Sequence, residues 1–414
     1  MESDNVKPIS KSERIAYLDI LRGISILFIY TANIIMFSGI WFFPEDTPRR
    51  IYTLPTDEVF DFLNYVLVDG KFYSIFSLLF GIGCVIQFNN LTAHGKAFAP
   101  FFRRRMFWLL IIGGIHLVLF WPGDILTLYA VLGFFLIWFV RKSNKTLLTT
   151  AVILILFPLV NWAFMHFSGV YYPGMAFQKS TEIYQNFGMP IIEFQGQIVP
   201  DFVAYQLNEN IADFFKMNLG NTFVRIGRIL DEGRLFKVFG IFLIGIWAGR
   251  KILNENILDN TAFLKKVFLI GLLVGLPVNI VRGYIEFFVD STDTTKLFHV
   301  LAYALGTLPL ALSYAAGIAL LVKKKVHFLD WFKPVGKTAL SNYLFQTAIS
   351  TIIFYGFGFN LVGKFGFTYV MMIGLCVFII QIVCSKIWLN YFKFGPMEWL
   401  WRKLTYGVQL KIKK

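Results

Sequence analysis

Three polar residues share one face of the first apolar run, YLDILRGISILFIYTAN, residues 17–33. Asp19 and Arg22 are three residues apart, which puts them on one side of a helix. Asn33 comes eleven residues after Arg22, about three turns on, and falls on that side too. An ionised side chain at bilayer depth costs about 3 kcal/mol on insertion scales. Asp19 and Arg22 therefore read either as a pair snorkelling at a helix end or as part of a polar seam facing other helices. Asn33, at the far end of the run, favours the seam, and a seam implies a site or a path.

A second constellation lies in WLLIIGGIHLVLFWPGDILTLYAVLGFF. His116 sits in an apolar stretch, and Asp124 follows eight residues later in the turn WPGD. A histidine beside a carboxylate can act as a general base with its tautomer fixed. The alternative is a buried, hydrogen-bonded imidazole, with Asp124 capping the next helix through amides near Leu126 and Thr127. In GKFYSIFSLLFGIG, Lys71 opens a span where it either meets an anionic group or snorkels, while Ser74, Ser77, Gly81 and Gly83 permit close helix packing. In VGKTALSNYLFQTAIS, Asn342, Tyr343 and Gln346 cluster, and Asn342 and Gln346 share a face suited to substrate or to interhelical hydrogen bonds.

Elements of one kind must position these groups. The 414 residues are 57% hydrophobic and 15% charged, with 47 phenylalanines, and the mean hydropathy is +0.62. A soluble chain carries about 25% charge, so the expected fold is all-α, a polytopic integral membrane protein. With about 20 apolar residues needed per crossing, we read ten spans: 17–43, 72–90, 106–122, 125–140, 146–167, 235–252, 265–288, 297–322, 338–356 and 367–391. Segment 57–68 is too short and acidic to span, and reads as an interfacial or re-entrant helix broken from the next span by Asp69-Gly70-Lys71.

The net charge of +14 sits between the apolar segments. That orients helices and argues against nucleic acid. Lys7, Lys11 and Arg14, then Arg103–Arg105, Arg141, Lys142, Lys145, Arg250, Lys251, Lys265, Lys266 and Lys323–Lys325, and the tail cations, fall on one side of ten spans. Both termini are expected to be cytoplasmic. The chain reads as a single integral membrane domain, 1–414, with a C-terminal helical half at 235–394. Residues 168–234 form an extracytoplasmic loop whose part Val203–Leu230 has amphipathic spacing suited to a membrane surface. The tail 395–414, with GPMEWLWRKLTY, reads as an interfacial anchor. Cys84, Cys376 and Cys384 read as small buried residues, with neither a disulfide framework nor metal-ligand spacing. No cleavable signal peptide is expected before the first span.

The stretches RIAYLDILRGISILFIYTANIIMF, KFYSIFSLLFGIG, RRRMFWLLIIGGIH, GDILTLYAVLG, GKTALSNYLFQT and GPMEWLWR resemble, in order, the YeiB-like bacterial membrane proteins, the domain-of-unknown-function 418 group. The first stretch is also similar to membrane acyltransferases of the acyltransferase-3 type, and more distantly to the enzymes that acetylate heparan sugars. In the acyltransferase-3 pattern a histidine follows the aspartate of LDxLRG by fourteen residues, and here that position is Asn33. Asparagine takes no proton at neutral pH, so His116 becomes the candidate base.

The resemblance implies transfer of an acyl group, most simply acetyl, to a hydroxyl or amine of an envelope glycan or lipid. His116 would be the base or transient acyl carrier, Asp124 its orienter and Asn33 a hydrogen-bond donor. Asp19 and Arg22 would stand at the cytoplasmic mouth, where Arg22 meets donor phosphates, and Lys71, Asn342, Tyr343 and Gln346 would contact substrate. Acetyl-coenzyme A or another acyl donor is expected as substrate, with no resident cofactor, and membrane lipid as partner. The rival expectations are a transporter or flippase for a small or amphiphilic solute, and a lipid-sensing protein without turnover.

Overall fold

The computed structural model describes residues 16–43, 48–194 and 196–414. Lys7, Lys11 and Arg14 lie outside the described residues. The chain begins with α1 (Ala16–Ser38), a short α2 (Asp57–Leu67) and α3 (Lys71–Ala93). Next, α4 (Phe98–Ile115) runs into a π-helical turn, His116–Phe120, followed by α5 (Leu126–Phe139) and α6 (Asn144–Ser168). Then come α7 (Gly174–Asn186), an antiparallel hairpin of β1 (Ile191–Phe194) and β2 (Gln197–Pro200), α8 (Phe202–Leu207) and α9 (Ile211–Asp231). The remainder holds α10 (Arg234–Asn254), α11 (Thr261–Phe288), α12 (Asp293–Lys323), α13 (Phe332–Lys337), α14 (Ala339–Phe354), α15 (Phe367–Tyr391) and α16 (Pro396–Tyr406).

Among the described residues, six stretches are long and apolar enough to cross a membrane: α1, α2 with α3, α6, α11, α12 and α15. Their outward faces are apolar. Val152, Ile153 and Val160 of α6, Leu269 and Leu273 of α11, and Ile379 and Ile380 of α15 are all exposed. A belt of this kind is unfavourable in water and ordinary against lipid tails. The chain is an all-α membrane protein. The other four segments of the ten-span expectation correspond to α4 with its π turn, α5, α10 and α14, which fall short of the six in length or apolar character.

The break at Asp69-Gly70-Lys71 is present. Gly70 has φ 83, a left-handed conformation that favours glycine, and α3 starts at the next residue. At the start of α1, the chain crosses α13 at backbone contact. A Cβ on Gly336 would stand 1.8 Å from the carbonyl oxygen of Asp19, and one on Gly23 would stand 2.1 Å from that of Phe332. This contact seats Gly336 beside the Asp19–Arg22 pair. Arg22 Nη1 donates to Asp19 Oδ1 at 3.1 Å and to the Gly336 carbonyl at 3.3 Å. Gly336→Ala is therefore expected to force α13 off α1 and cost about 1–3 kcal/mol, read as a lower midpoint in a detergent thermal-unfolding assay.

The surroundings of three segments become clear. The Val203–Leu230 stretch, read as suited to a membrane surface, turns apolar side chains inward onto protein. Tyr184, Tyr205, Phe214 and Met217 join Tyr30, Ile34, Phe37, Trp121 and Tyr355 in one buried cluster, so residues 168–234 cap one end of the bundle. Apolar helical spacing is the same whether a helix meets lipid or protein. The tail helix α16 is built into the opposite end. Glu398 accepts from the amides of Leu340 and Ser341 and from Ser341 Oγ, and Trp401 Nε1 donates to the Arg105 carbonyl. Cys84 is buried, but Cys376 and Cys384 are exposed on α15, whose apolar outer face tolerates a small thiol.

Candidate functional site

Two cavities lie end to end along the bundle axis. The first, about 260 Å³, opens among Asp19, Arg22, Arg105, Lys337, Glu398 and Arg402, at what we term the basic end. The second, about 390 Å³, lies under the cap of α7–α9, at the capped end. Ile29, Ile125 and Tyr343 line both, so three side chains form the septum between them.

In the basic-end cavity, the Arg105 guanidinium stacks 3.7 Å over the Trp401 ring. Burial first, then the neighbouring Arg402 and Arg22, disfavour its charge. The Glu398 carboxyl is pushed up from its ordinary value by burial, against the pull of the bonds from Ser341 and Leu340. One of the two carboxylates lining this cavity is thus committed to backbone amides and is poor counter-charge.

The capped-end cavity carries an ionic network. Arg282 Nη2 donates to Asp69 Oδ2 at 2.8 Å. The Arg282 guanidinium also lies 4.3 Å from the Tyr65 ring and 4.9 Å from the Tyr303 ring. The Tyr65 hydroxyl is 2.6 Å from His299 Nε2, and His299 is 3.4 Å from Glu286. Arg234 bonds Glu232 at 2.7 Å. Behind the wall, Lys71 and Lys237 are fully buried. Lys71 donates to the Tyr65 carbonyl, and Lys237 to the Tyr303 carbonyl and Thr307 Oγ1. Asn33 lines this cavity with Trp121 and Tyr73.

Next to the septum stands a three-residue relay. His116 Nδ1 is 2.8 Å from Asp124 Oδ1, and His116 Nε2 is 2.9 Å from Thr347 Oγ1. A carboxylate only accepts, so a neutral imidazole carries its proton on Nδ1 and takes the Thr347 hydroxyl proton at Nε2. This is the order of nucleophile, base and orienter. The chain builds it by local breaks in helix geometry. The π turn at His116 ends on Trp121, whose N–H returns to the His116 carbonyl at 2.9 Å. Asp124 Oδ2 accepts from the Thr127 amide at 2.7 Å, and its carbonyl accepts from Arg225. Asn218 of α9 donates to the carbonyls of Leu117 and Val118, which the irregular turn leaves open. All three relay residues are buried, and none lines either cavity. Tyr343, one turn before Thr347 and itself part of the septum, has its ring 5.3 Å from His116.

The polar stripe of α1 is thereby resolved in space. Asp19 and Arg22 face the basic-end cavity, and Asn33 faces the capped-end one. Tyr343 touches both. Lys71 neither snorkels nor lines a cavity, because it is enclosed beneath Tyr65. Asn342 and Gln346 turn toward α15. Asn342 donates to Ser385 Oγ, and Gln346 donates to Gln381, which in turn bonds the Asn342 carbonyl. Sequence reasoning missed Thr347, Arg105, Arg282, Lys237 and the place of His299. Lys237 and Arg282 carried the signal that exposed Asp19, an ionised residue within an apolar run.

Residues 248–408 match the model of the family described as a protein of unknown function, DUF418. Over 412 residues the chain is 29% identical to the uncharacterized protein YxaH of Bacillus subtilis (strain 168), covering 97% of this chain and 96% of that one. It is 28% identical over 414 residues to the uncharacterized protein YeiB of Escherichia coli (strain K12), covering 95% of this chain and 96% of the relative. Over residues 248–408 the chain thus matches the DUF418 family, and along nearly its whole length it is similar to the uncharacterized proteins YxaH and YeiB.

Proposed function

We propose that this protein is a membrane acyltransferase. It takes an acyl group, most simply acetyl, from a phosphorylated donor in the basic-end cavity and passes it to a hydroxyl or amine of a glycan or lipid acceptor in the capped-end cavity. The observation that carries this reading is the meeting of the two cavities at Ile29, Ile125 and Tyr343, beside the Thr347–His116–Asp124 relay. Donor and acceptor approach from opposite ends and react at one septum.

The chemistry follows from the relay. The acceptor hydroxyl loses its proton to His116 Nε2 as its oxygen attacks the acyl carbon. The donor's thiolate leaves and takes that proton back from the imidazolium. Asp124 holds the ring and balances the transient charge. Tyr343 must turn aside to admit the reacting groups. In this reading the basic end is cytoplasmic, the chain crosses the bacterial plasma membrane ten times and both termini are inside, in accord with the positive-inside rule. Arg22 and Arg105 then meet the phosphates of a coenzyme A-type donor.

A second reading draws support from the same septum. Two cavities facing opposite ends across a thin wall also suit alternating access in a transporter. The distinction is covalent: a transporter delivers its solute unchanged.

Calorimetric titration of acetyl-coenzyme A into the purified protein in detergent tests the donor site. Saturable binding is expected, weakened about tenfold or more in Arg22→Ala and Arg105→Ala, since each removes a charge-assisted hydrogen bond to phosphate. Absence of binding at millimolar donor would overturn coenzyme A as donor.

A further inference from the structure

The capped-end cavity has more positive charge than its own carboxylates balance. Arg225, Arg228, Arg234 and Arg282 line it, against Asp69, Glu232 and Glu286. Two of those carboxylates are already spent, Glu232 on Arg234 and Asp69 on Arg282. Lys71 and Lys237 place two buried amine side chains just behind the wall, whose hydrogen bonds go to neutral oxygens alone. Arg282 adds a second, independent sign. Its side chain is 5% exposed, and its Nη1 is buried without a hydrogen-bond partner. An orphaned guanidinium donor in a low-dielectric wall is costly unless something outside the chain accepts from it.

We infer that the capped-end cavity is an oxyanion site, and that its ligand carries a phosphate or carboxylate held by Arg282, with Arg228 at the rim. The cavity, about 390 Å³, falls in the lower range of small-molecule sites, which run to roughly 300–1,000 Å³. It is also aromatic, with Tyr65, Tyr73 and Trp121 in its walls, which suits a sugar or glycerol unit attached to the anion. The inference deepens the acyltransfer reading by assigning the acceptor's charge. It rests on that reading only for the word acceptor.

The test measures binding with no acyl donor present, so a failure of acyl transfer leaves it untouched. Glycerol phosphate and glucuronate are titrated calorimetrically into the full chain in dodecyl maltoside. In parallel, phosphatidylglycerol is offered in nanodiscs of otherwise zwitterionic lipid and retained lipid is read by native mass spectrometry. Saturable binding of at least one probe is expected. A soluble probe alone points to a free anionic glycan, and the lipid alone to a headgroup, and either outcome supports the site. Binding should weaken about tenfold or more in Arg282→Gln. It should weaken about threefold in Arg228→Gln, whose exposed side chain makes loss of folding a poor explanation. Lys179→Gln removes a cation from an exposed pair with Glu182 at the same end, outside the cavity, and should bind as the parent does. Failure of all three probes at 10 mM or saturating lipid, or equal affinity in the parent, Arg282→Gln and Arg228→Gln, would overturn the inference.

Discussion

His116→Ala is expected to lower the proposed acyl transfer by about 10²–10⁴-fold, the usual contribution of a positioned general base, and to leave donor binding unchanged. The separation is expected because His116 lines neither cavity, whereas Arg22 and Arg105, the proposed phosphate contacts, line the basic-end cavity. Asp124 keeps its bond from the Thr127 amide, but its Oδ1 and the Thr347 hydroxyl lose their partner, so the change also lowers stability and the transfer rate is compared per folded protein. Thr347→Ala divides two mechanisms. If Thr347 Oγ1 attacks the acyl carbon, gives its proton to His116 and carries the acyl group until the acceptor displaces it, its loss equals that of His116. If the hydroxyl merely holds the ring, transfer falls only a few-fold. The measurement is transfer of radiolabelled acetyl from acetyl-coenzyme A to the membrane fraction of cells expressing each variant. A His116→Ala protein with the parent rate would remove the relay from the mechanism and move the transporter reading forward.

The α1 stripe was legible because helical periodicity alone sets it. Asp19, Arg22 and Asn33 share a face whatever packs against them. Its division between two cavities was not, since that depends on α13, α14 and α16 arriving from more than 300 residues away, as the Arg22–Gly336 bond shows. The cluster at 342–346 shows the same limit at close range. Asn342 and Gln346 lie on one face, and Tyr343 and Thr347 are rotated from it by about 100°. The first pair bonds α15, and the second faces the septum and His116. Polarity identified the cluster, but only packing says which face meets which neighbour. His116 and Asp124 were paired correctly in sequence because a short break joins them. Thr347, 231 residues from His116, had no local signal. The apolar spacing of Val203–Leu230 was legible, but not that Tyr205, Phe214 and Met217 meet protein, since sequence spacing does not distinguish lipid from a tyrosine-rich protein surface.

Asp69→Ala and Lys237→Met, two changes beside the same cavity, are expected to differ sharply in their effect on stability. Asp69 supplies the only carboxylate bonded to Arg282 among the described residues. Without it a guanidinium that is 5% exposed keeps only its two aromatic neighbours and His299. Stranding a buried charge costs about 3–5 kcal/mol, and the 41% exposure of Asp69 to the cavity reduces this to about 2–3 kcal/mol. Lys237 is different. Its amine is fully buried and bonds two neutral oxygens, and the Tyr303 carbonyl still accepts from Thr307 Oγ1 at 2.7 Å after the lysine is gone. Methionine has nearly the same shape and no charge to desolvate, so Lys237→Met should leave stability unchanged or raise it by about 1 kcal/mol. Thermal unfolding followed by tryptophan fluorescence in detergent compares the two variants directly. A large destabilisation by Lys237→Met would make the lysine part of the scaffold. A stable protein with impaired turnover would instead mean that the buried amine is retained, at a cost to the fold, for what it does to the ligand in the cavity.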